Sequence, residues 1–163
     1  MYTAYLLLGS NLGNRLSYLE QAKQFIAEQC GTIIKTSSIY ETAAWGITEQ
    51  PSFYNLVLVL QTNIAPDLLM QKLLNIEEQL GRKRTIKYGP RIIDIDILLI
   101  DSLIQTSPIL TLPHPFLPER RFALLPLAEV APLLLHPLAN KTINQLLLDC
   151  TDTLEVKKVE SDI

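Results

Sequence analysis

The chain has 163 residues, of which 48% are hydrophobic and 19% charged, and a formal net charge of −3. This composition excludes a disordered chain, and the acidic balance argues against a nucleic-acid-binding protein with a basic surface. We therefore expect one folded domain over residues 1–163, with a polar tail from about residue 151.

No segment has the pattern of an export signal or a membrane span. The N-terminal sequence MYTAYLLLGSN lacks a basic region, and three prolines and a glutamate interrupt the leucine-rich stretch 122–139. Cys30 and Cys150 lack the paired spacing of a zinc site. We expect a cytoplasmic protein with reduced thiols and with neither nucleic acid nor membrane as a partner.

Hydrophobic periodicity divides the chain into strands and helices. Apolar or β-branched runs bounded by turn residues predict strands, and apolar residues three and four apart predict helices. Gly31 and Gly81 follow the two clearest helical patterns, as expected for a helix C-terminus. The patterns place strands at residues 3–8, 32–41, 53–62 and 92–100, helices at 17–29 and 66–80, and loops at 9–14, 43–51 and 82–90.

The order strand, helix, strand, strand, helix, strand predicts an α+β fold of the ferredoxin-like type. In this βαββαβ arrangement the sheet is antiparallel and both helices pack on one face. Further helical patterns at residues 120–130 and 142–148 would cover the second face and give α/β/α layers.

Two aspartates, Asp94 and Asp96, lie one residue apart in the last predicted strand. Alternate strand residues share a face, so the two carboxylates project together while Ile95 points to the other side. Their Cα atoms would be about 6.5–7 Å apart, which allows them to bind one Mg²⁺ ion or a pair of ions. The spacing alone leaves a solvated strand face or a general acid–base pair open.

A basic loop directly precedes these aspartates. Five of the fourteen Lys and Arg residues fall between Arg82 and Arg91, with no acidic residue among them. Cationic side chains beside metal-binding carboxylates suit a polyphosphate chelated by Mg²⁺. A second cluster downstream contains His114, Arg120 and Arg121, although a histidine between two prolines is equally compatible with an ordinary turn.

Aromatic and amide residues elsewhere suggest a site for a flat heterocycle. Phe53 and Asn55 share a strand face, and Trp45 and Phe122 could also stack on a ring. Because aromatic residues of strands usually belong to the core, this pattern alone leaves both interpretations open.

Six segments of the chain resemble the 6-hydroxymethyl-7,8-dihydropterin pyrophosphokinase family. KYGPRIIDIDIL (87–98) is similar to the family signature, in which Gly-Pro-Arg precedes the paired aspartates. The resemblance spans about residues 3–135 without a large gap. The other family-like segments, in the expected order, are LLLGSNLGNR (6–15), SSIYETAAWG (37–46), QPSFYNLVL (50–58), EEQLGRKR (77–84) and LTLPHPFLPERRFALLPLAEVAP (110–132).

The resemblance implies a step of folate biosynthesis. In that reaction the β,γ-pyrophosphoryl group of ATP passes to the hydroxymethyl oxygen of the pterin, and AMP is released. ATP would be the co-substrate and two Mg²⁺ ions the cofactors, and we expect the enzyme to be a monomer whose loops at 43–51 and 82–90 close over the substrates.

The resemblance also implies roles for individual residues. Asp94 and Asp96 would hold the metal ions and, with Arg82 and Arg91, form the catalytic set. The pterin would contact Thr42, Ala43, Trp45, Phe53, Asn55 and Phe122, and ATP would contact Glu77, Arg82, Arg84, Arg91, Ile97, Thr111, His114 and Arg120.

Some positions depart from the family pattern, but none of them is an aspartate of the pair or Arg91. The departures bear on affinity and loop behaviour. They are Phe53 for a common tyrosine, Ala43 and Ala44 for prolines, Tyr88 for a tryptophan and Pro115 for a tyrosine.

Two other functions are compatible with the residues alone. A non-catalytic ferredoxin-like module could bind a small ligand, or a Mg²⁺-dependent phosphohydrolase could release phosphate without a pterin acceptor.

Overall fold

The computed structural model of the protein describes residues 1–43, 51–82 and 92–159. The strands in this part of the chain are Tyr2–Ser10 (β1), Thr32–Thr36 (β2), Tyr40–Thr42 (β3), Phe53–Thr62 (β4), Asp94–Ile100 (β5), Gln105–Thr106 (β6), Thr111–Leu112 (β7) and Val156–Lys158 (β8). The α-helices are Arg15–Gln29 (α1), Pro66–Gln79 (α2), Arg121–Val130 (α3) and Ile143–Asp149 (α4), and Leu117–Glu119 form a 3₁₀ turn.

Side-chain caps determine where two of the helices begin. The Asn14 side chain accepts a hydrogen bond from the Ser17 amide at 3.1 Å, so α1 begins at Arg15, two residues earlier than predicted. Thr142 and Gln145 form a capping box at the start of α4.

The main sheet is antiparallel, with the strand order β5-β1-β4-β3-β8, and β2 pairs with another part of β4. The central position of β1, between β4 and β5, is the arrangement that a ferredoxin-like βαββαβ chain adopts. The predicted α+β fold with an antiparallel sheet is therefore confirmed.

The sheet separates two hydrophobic cores. Leu6 and Leu8 of β1 belong to the cluster that includes α1 and α2, whereas Leu7, Val57 and Val59 belong to the cluster that includes α3 and α4. The prediction that the C-terminal helices cover the second face is confirmed, and the layers are α/β/α.

The single strand predicted at 32–41 is wrong, because the structure has two strands there. The Ser37 amide donates to the Val57 carbonyl at 2.9 Å, and Ser37 Oγ accepts from the Val57 amide at 2.8 Å. The side chain thus replaces a backbone carbonyl in the ladder and separates β2 from β3.

The tail from residue 151, for which the sequence predicts no element, contributes β8, which pairs antiparallel with β3.

The strand boundaries also shift slightly, since β1 continues to Ser10 and β5 begins at Asp94. Residues 44–50 and 83–91 lie outside the described residues and include most of the predicted loops 43–51 and 82–90, so the closure of these loops stays a prediction. Among the described helices, none has the length and apolar character to cross a membrane.

Candidate active site

A cavity of about 400 Å³ opens on the face of the sheet that α3 and α4 cover. Leu7 packs in the core beneath these helices, and Gly9, the next residue on the same face, lines the cavity. In the antiparallel register Gly9 lies opposite Asn55 of β4 on one side and Asp94 of β5 on the other. These three residues form a row across the cavity floor.

Gly9 leaves the space that Asn55 occupies. A Cβ atom at this position would lie 2.5 Å from Asn55 Oδ1 and 3.5 Å from Phe53 Cδ1. A side chain at position 9 would therefore displace Asn55, which is itself buried at 4% exposure.

Asp94 and Asp96 both line the cavity, while Ile95 between them is buried in the opposite core. The predicted separation of faces along this strand is confirmed. Arg82 approaches from the end of α2, with its Nη1 atom 3.2 Å from Asp94 Oδ1.

Glu77 holds Arg82 from outside the cavity. Its Oε1 atom accepts from Arg82 Nη1 at 2.6 Å, and its Oε2 atom accepts from the Ile95 amide at 2.6 Å. Burial alone would lower the pKa of Arg82, but the Asp94 and Glu77 carboxylates outweigh burial and raise it. Arg82 is therefore a fixed positive charge beside the aspartates.

His114 lines the cavity as a neutral hydrogen-bond donor. Burial, and then the charge of Arg120, lower the pKa of His114 to about 4. Its Nδ1 atom accepts from the Phe116 amide at 3.2 Å, which places the proton of the neutral ring on Nε2.

Aromatic rings form much of the remaining wall. The Arg120 Cζ atom lies 4.9 Å from the ring centroid of Phe116 and 5.6 Å from that of Phe122, within the range of cation–π attraction. Thr42 pairs with Phe53 across β3 and β4, and both residues line the cavity.

Most of the predicted site residues converge on this one cavity, although they come from distant parts of the sequence. Those lining it are Thr42, Ala43, Phe53, Asn55, Arg82, Asp94, Asp96, His114, Arg120 and Phe122.

Three predicted nucleotide contacts do not line the cavity. Glu77 is buried at 3% exposure behind Arg82, Ile97 is buried at 1% in the core, and Thr111 begins β7. Glu77 and Arg82 do line a neighbouring cleft of about 210 Å³ along α2. Trp45, Arg84 and Arg91 lie outside the described residues.

Four residues that line the cavity were not predicted from the sequence. They are Leu7, Gly9, Pro115 and Phe116, of which Pro115 drew attention only as a departure from the family. For Gly9 the sequence does hold a signal, because a glycine within a strand often marks a site where a ligand or another part of the chain comes close to the backbone. Asn11 is fully buried and donates to the Pro51 carbonyl at 3.1 Å.

The chemistry of Asp94 and Asp96 fits Mg²⁺. Among the described residues no group of three or more His, Cys, Asp and Glu side chains could hold a metal ion. Two carboxylates suit Mg²⁺ nevertheless, because this ion usually takes only one or two protein carboxylates and completes its coordination with water and substrate phosphates.

A ferredoxin-like fold whose cavity combines paired carboxylates, arginines and aromatic rings defines a class: enzymes that transfer phosphoryl groups from a nucleotide. The family model for 7,8-dihydro-6-hydroxymethylpterin-pyrophosphokinase (HPPK) matches residues 5–132. The chain belongs to this family, and the resemblance seen in the sequence is confirmed.

Individual relatives agree with this assignment. The chain is 42% identical over 145 residues to the 2-amino-4-hydroxy-6-hydroxymethyldihydropteridine pyrophosphokinase of Aquifex aeolicus (strain VF5), covering 89% of this chain and 90% of the relative. It is 40% identical over 139 residues to the folic acid synthesis protein fol1 of Pneumocystis carinii, covering 85% of this chain but 19% of that longer protein.

The solved structure of HPPK-DHPS from Plasmodium falciparum supports the fold. It superposes with a TM-score of 0.73 at 21% identity, over 91% of this chain and 43% of that chain.

Proposed function

We propose that this protein transfers the β,γ-pyrophosphoryl group of ATP to the hydroxymethyl oxygen of 6-hydroxymethyl-7,8-dihydropterin and releases AMP, a step of folate biosynthesis. The supporting observation is the convergence of residues with three implied roles, catalytic, pterin-binding and ATP-binding, on one cavity. Membership of the HPPK family supports the same reaction.

The pterin would lie between aromatic rings above the cavity floor. Phe53 and Phe122 offer the two rings, and Asn55 offers an amide that can pair with the polar edge of a heterocycle. Thr42 and Ala43 lie beside Phe53 at the end of β3 and would contact the same edge, together with Trp45 by the family resemblance.

The triphosphate would lie along the charged side. Asp94 and Asp96 would hold two Mg²⁺ ions, which when bound neutralise phosphate charge and bring the transferred group to the acceptor oxygen. Arg82 and Arg120 place positive charge on the same cavity, and neutral His114 adds a donor for phosphate or ribose oxygens.

The remaining nucleotide assignments rest on the family resemblance. They comprise catalytic and ATP-binding roles for Arg91 and ATP contacts for Arg84, Ile97, Thr111 and Glu77. We assign Glu77 a second role in orienting Arg82, because its carboxylate pairs with the same Arg82 Nη1 atom that lies beside Asp94.

Catalysis in this proposal depends on alignment and charge rather than on a strong base. Arg82 is held by two carboxylates, so its guanidinium is already oriented before substrates bind. The rings on either side of the pterin would hold the hydroxymethyl group in line with the β-phosphorus of ATP.

The metal assignment is tested with Asp96→Asn. The amide keeps the size of the side chain but removes the charge that binds Mg²⁺, so we expect AMP formation to fall by at least about a hundredfold. The melting temperature should stay close to that of the wild type, because Asp96 is only half-buried. The assignment would be contradicted if this variant formed AMP at a near-normal rate and with an unchanged requirement for Mg²⁺.

We also propose that the protein is a cytoplasmic monomer. The assignment to the cytoplasm is supported by the two cysteines, which are both free thiols, as in a reducing compartment. Sedimentation velocity and cell fractionation would test the two statements, and a stable dimer or an exported protein would refute them.

A further inference from the structure

Helix α3 presents cavity residues at its N-terminus but has no cap of its own. Phe122 lies in its first turn, and Arg120, the residue before the helix, makes no side-chain capping hydrogen bond. Asp152 supplies the cap from 31 residues further along the chain, since its Oδ2 atom accepts from the Arg121 amide at 3.1 Å. A carboxylate is favourable at this position because it pairs with a free amide and with the positive end of the helix dipole.

The Arg121 side chain reinforces this contact. Its Nη1 atom donates to the Asp152 carbonyl at 2.7 Å and its Nη2 atom to the Cys150 carbonyl at 3.0 Å. The second carboxylate oxygen of Asp152 accepts from the Leu154 amide at 3.0 Å, which fixes the turn that follows. One carboxylate thus joins α3 to residues 150–159, which we call the C-terminal segment.

The other end of the C-terminal segment holds a second part of the cavity wall. Thr42 lines the cavity, and its Oγ1 atom donates to the Glu155 carbonyl at 3.1 Å. β8 continues the contact by pairing Thr42 with Val156, and the Val159 amide donates to the Ile39 carbonyl at 2.8 Å. The C-terminal segment therefore connects the N-terminus of α3 with the end of β3.

We propose that Asp152 is a positioning residue for the pterin. By capping α3 and fixing the turn before β8, it sets where Phe122 lies relative to Thr42 and Ala43, although it does not itself line the cavity. The inference rests on the proposed function, because it assumes that these residues contact the pterin. The match to the family model ends at residue 132, so the C-terminal segment lies outside the residues that the model matches.

Asp152→Ala tests the proposal through the KM of each substrate. We expect the KM for the pterin to rise about five- to tenfold, because two amides lose the carboxylate that accepts from them and only part of that loss reaches the pterin through Phe122, while kcat and the KM for ATP change by less than about twofold. Asp152→Asn keeps one oxygen acceptor and places an NH2 group at the other position, so it can accept from only one of the two amides and should restore only part of the pterin affinity. Asp149→Ala is the matched control, because Asp149 is an exposed carboxylate that pairs with Lys141.

A second variant covers the case in which Asp152→Ala folds poorly. Arg121→Met removes the two guanidinium contacts but leaves the amide that Asp152 caps, and we expect a smaller rise in the same KM. Fluorescence titration of the pterin, with Mg²⁺ and a non-hydrolysable ATP analogue present, gives the affinity independently of turnover.

The possible outcomes are distinct. A purely structural role would reduce the active fraction and hence the apparent kcat, with both KM values unchanged, and would overturn the proposal. Unchanged pterin affinity in Asp152→Ala and Arg121→Met would also overturn it. Absence of pterin-dependent AMP formation by the wild-type protein would instead refute the proposed function.

Discussion

At the scale of single residues, the cavity depends on Gly9, which separates Asn55, the proposed pterin contact, from Asp94, a proposed metal ligand. Neighbouring strands are about 4.7–4.9 Å apart, so the backbones of these two residues lie roughly 10 Å apart with only a glycine between them. The absence of a side chain at Gly9 leaves room for the Asn55 amide, which therefore lies over the strand between Asn55 and Asp94.

Gly9→Ala should weaken pterin binding by displacing Asn55. The added Cβ atom conflicts with Asn55 Oδ1, so we expect the KM for the pterin to rise by about tenfold or more, as for a lost hydrogen bond in a buried site. The measurement is a double-mutant cycle with Asn55→Ala, in which the alanine removes the clashing atom. Because both changes act through the same amide, the double variant should be no worse than Asn55→Ala. Additive losses would show that Gly9 acts in another way.

At the scale of elements, β5 shows what local sequence can predict. Alternation along IIDIDI predicted that the two carboxylates and Ile95 point to opposite faces, and the structure agrees because pleating alone determines this. β4 has the predicted bounds, Phe53–Thr62, since its apolar run is long and ends at turn residues.

Elements that depend on distant contacts were not predictable in the same way. Residues 32–41 have strand composition throughout, but the hydrogen bond between Ser37 and Val57 divides them. Gly9 and Phe116 line the cavity because of their neighbours across the sheet and along the cavity wall. The hydrophobic periodicity of the sequence carries no information about these neighbours. Individual ligand roles came from the family resemblance and not from spacing.

The turn before α4 should make the stability of the protein depend on pH. His136 is 4% exposed, and its Nδ1 atom accepts from the amides of Leu138 and Ala139 at 3.2 and 3.0 Å. Burial lowers the pKa of His136. The pKa of His114 in the cavity is also lowered, mainly by burial and to a smaller extent by the charge of Arg120. Folding therefore opposes protonation of both histidines, and their contribution to stability is present above about pH 6.5 and is lost as the pH falls below it.

His136→Asn isolates the contribution of this turn. The asparagine Oδ1 atom can accept from the same amides but does not titrate, so the free energy of unfolding should fall less between pH 7 and pH 5 than in the wild type. Urea denaturation at several pH values measures the difference, and the remaining slope contains the contribution of His114. Equal slopes in the two proteins would exclude a role for His136.

At the scale of the whole molecule, the layers determine where the cavity can form. α1 and α2 cover one face of the sheet completely enough that Leu6, Leu8 and Ile95 are buried beneath them. On the other face α3 and α4 cover Leu7 and Val57, and the cavity opens beyond them. The site therefore combines β-strand residues of the floor with residues from the start of α3.

The structure of the C-terminal segment was the part of the fold that the sequence predicted least well. Its polar composition predicts no element, yet β8 completes one edge of the sheet and Asp152 caps α3. Both contacts join residues far apart in the chain, and no local pattern encodes them.

The central claim, pyrophosphoryl transfer to a pterin, is tested most directly by a product analysis. The protein is incubated with ATP, Mg²⁺ and 6-hydroxymethyl-7,8-dihydropterin, and AMP, inorganic phosphate and the pterin product are quantified together. We predict that AMP and the pterin diphosphate form in equal amounts, only when Mg²⁺ and both substrates are present, and without release of phosphate. Phosphate release without the pterin would indicate a phosphohydrolase, absence of AMP would indicate a binding module, and either result would contradict the account.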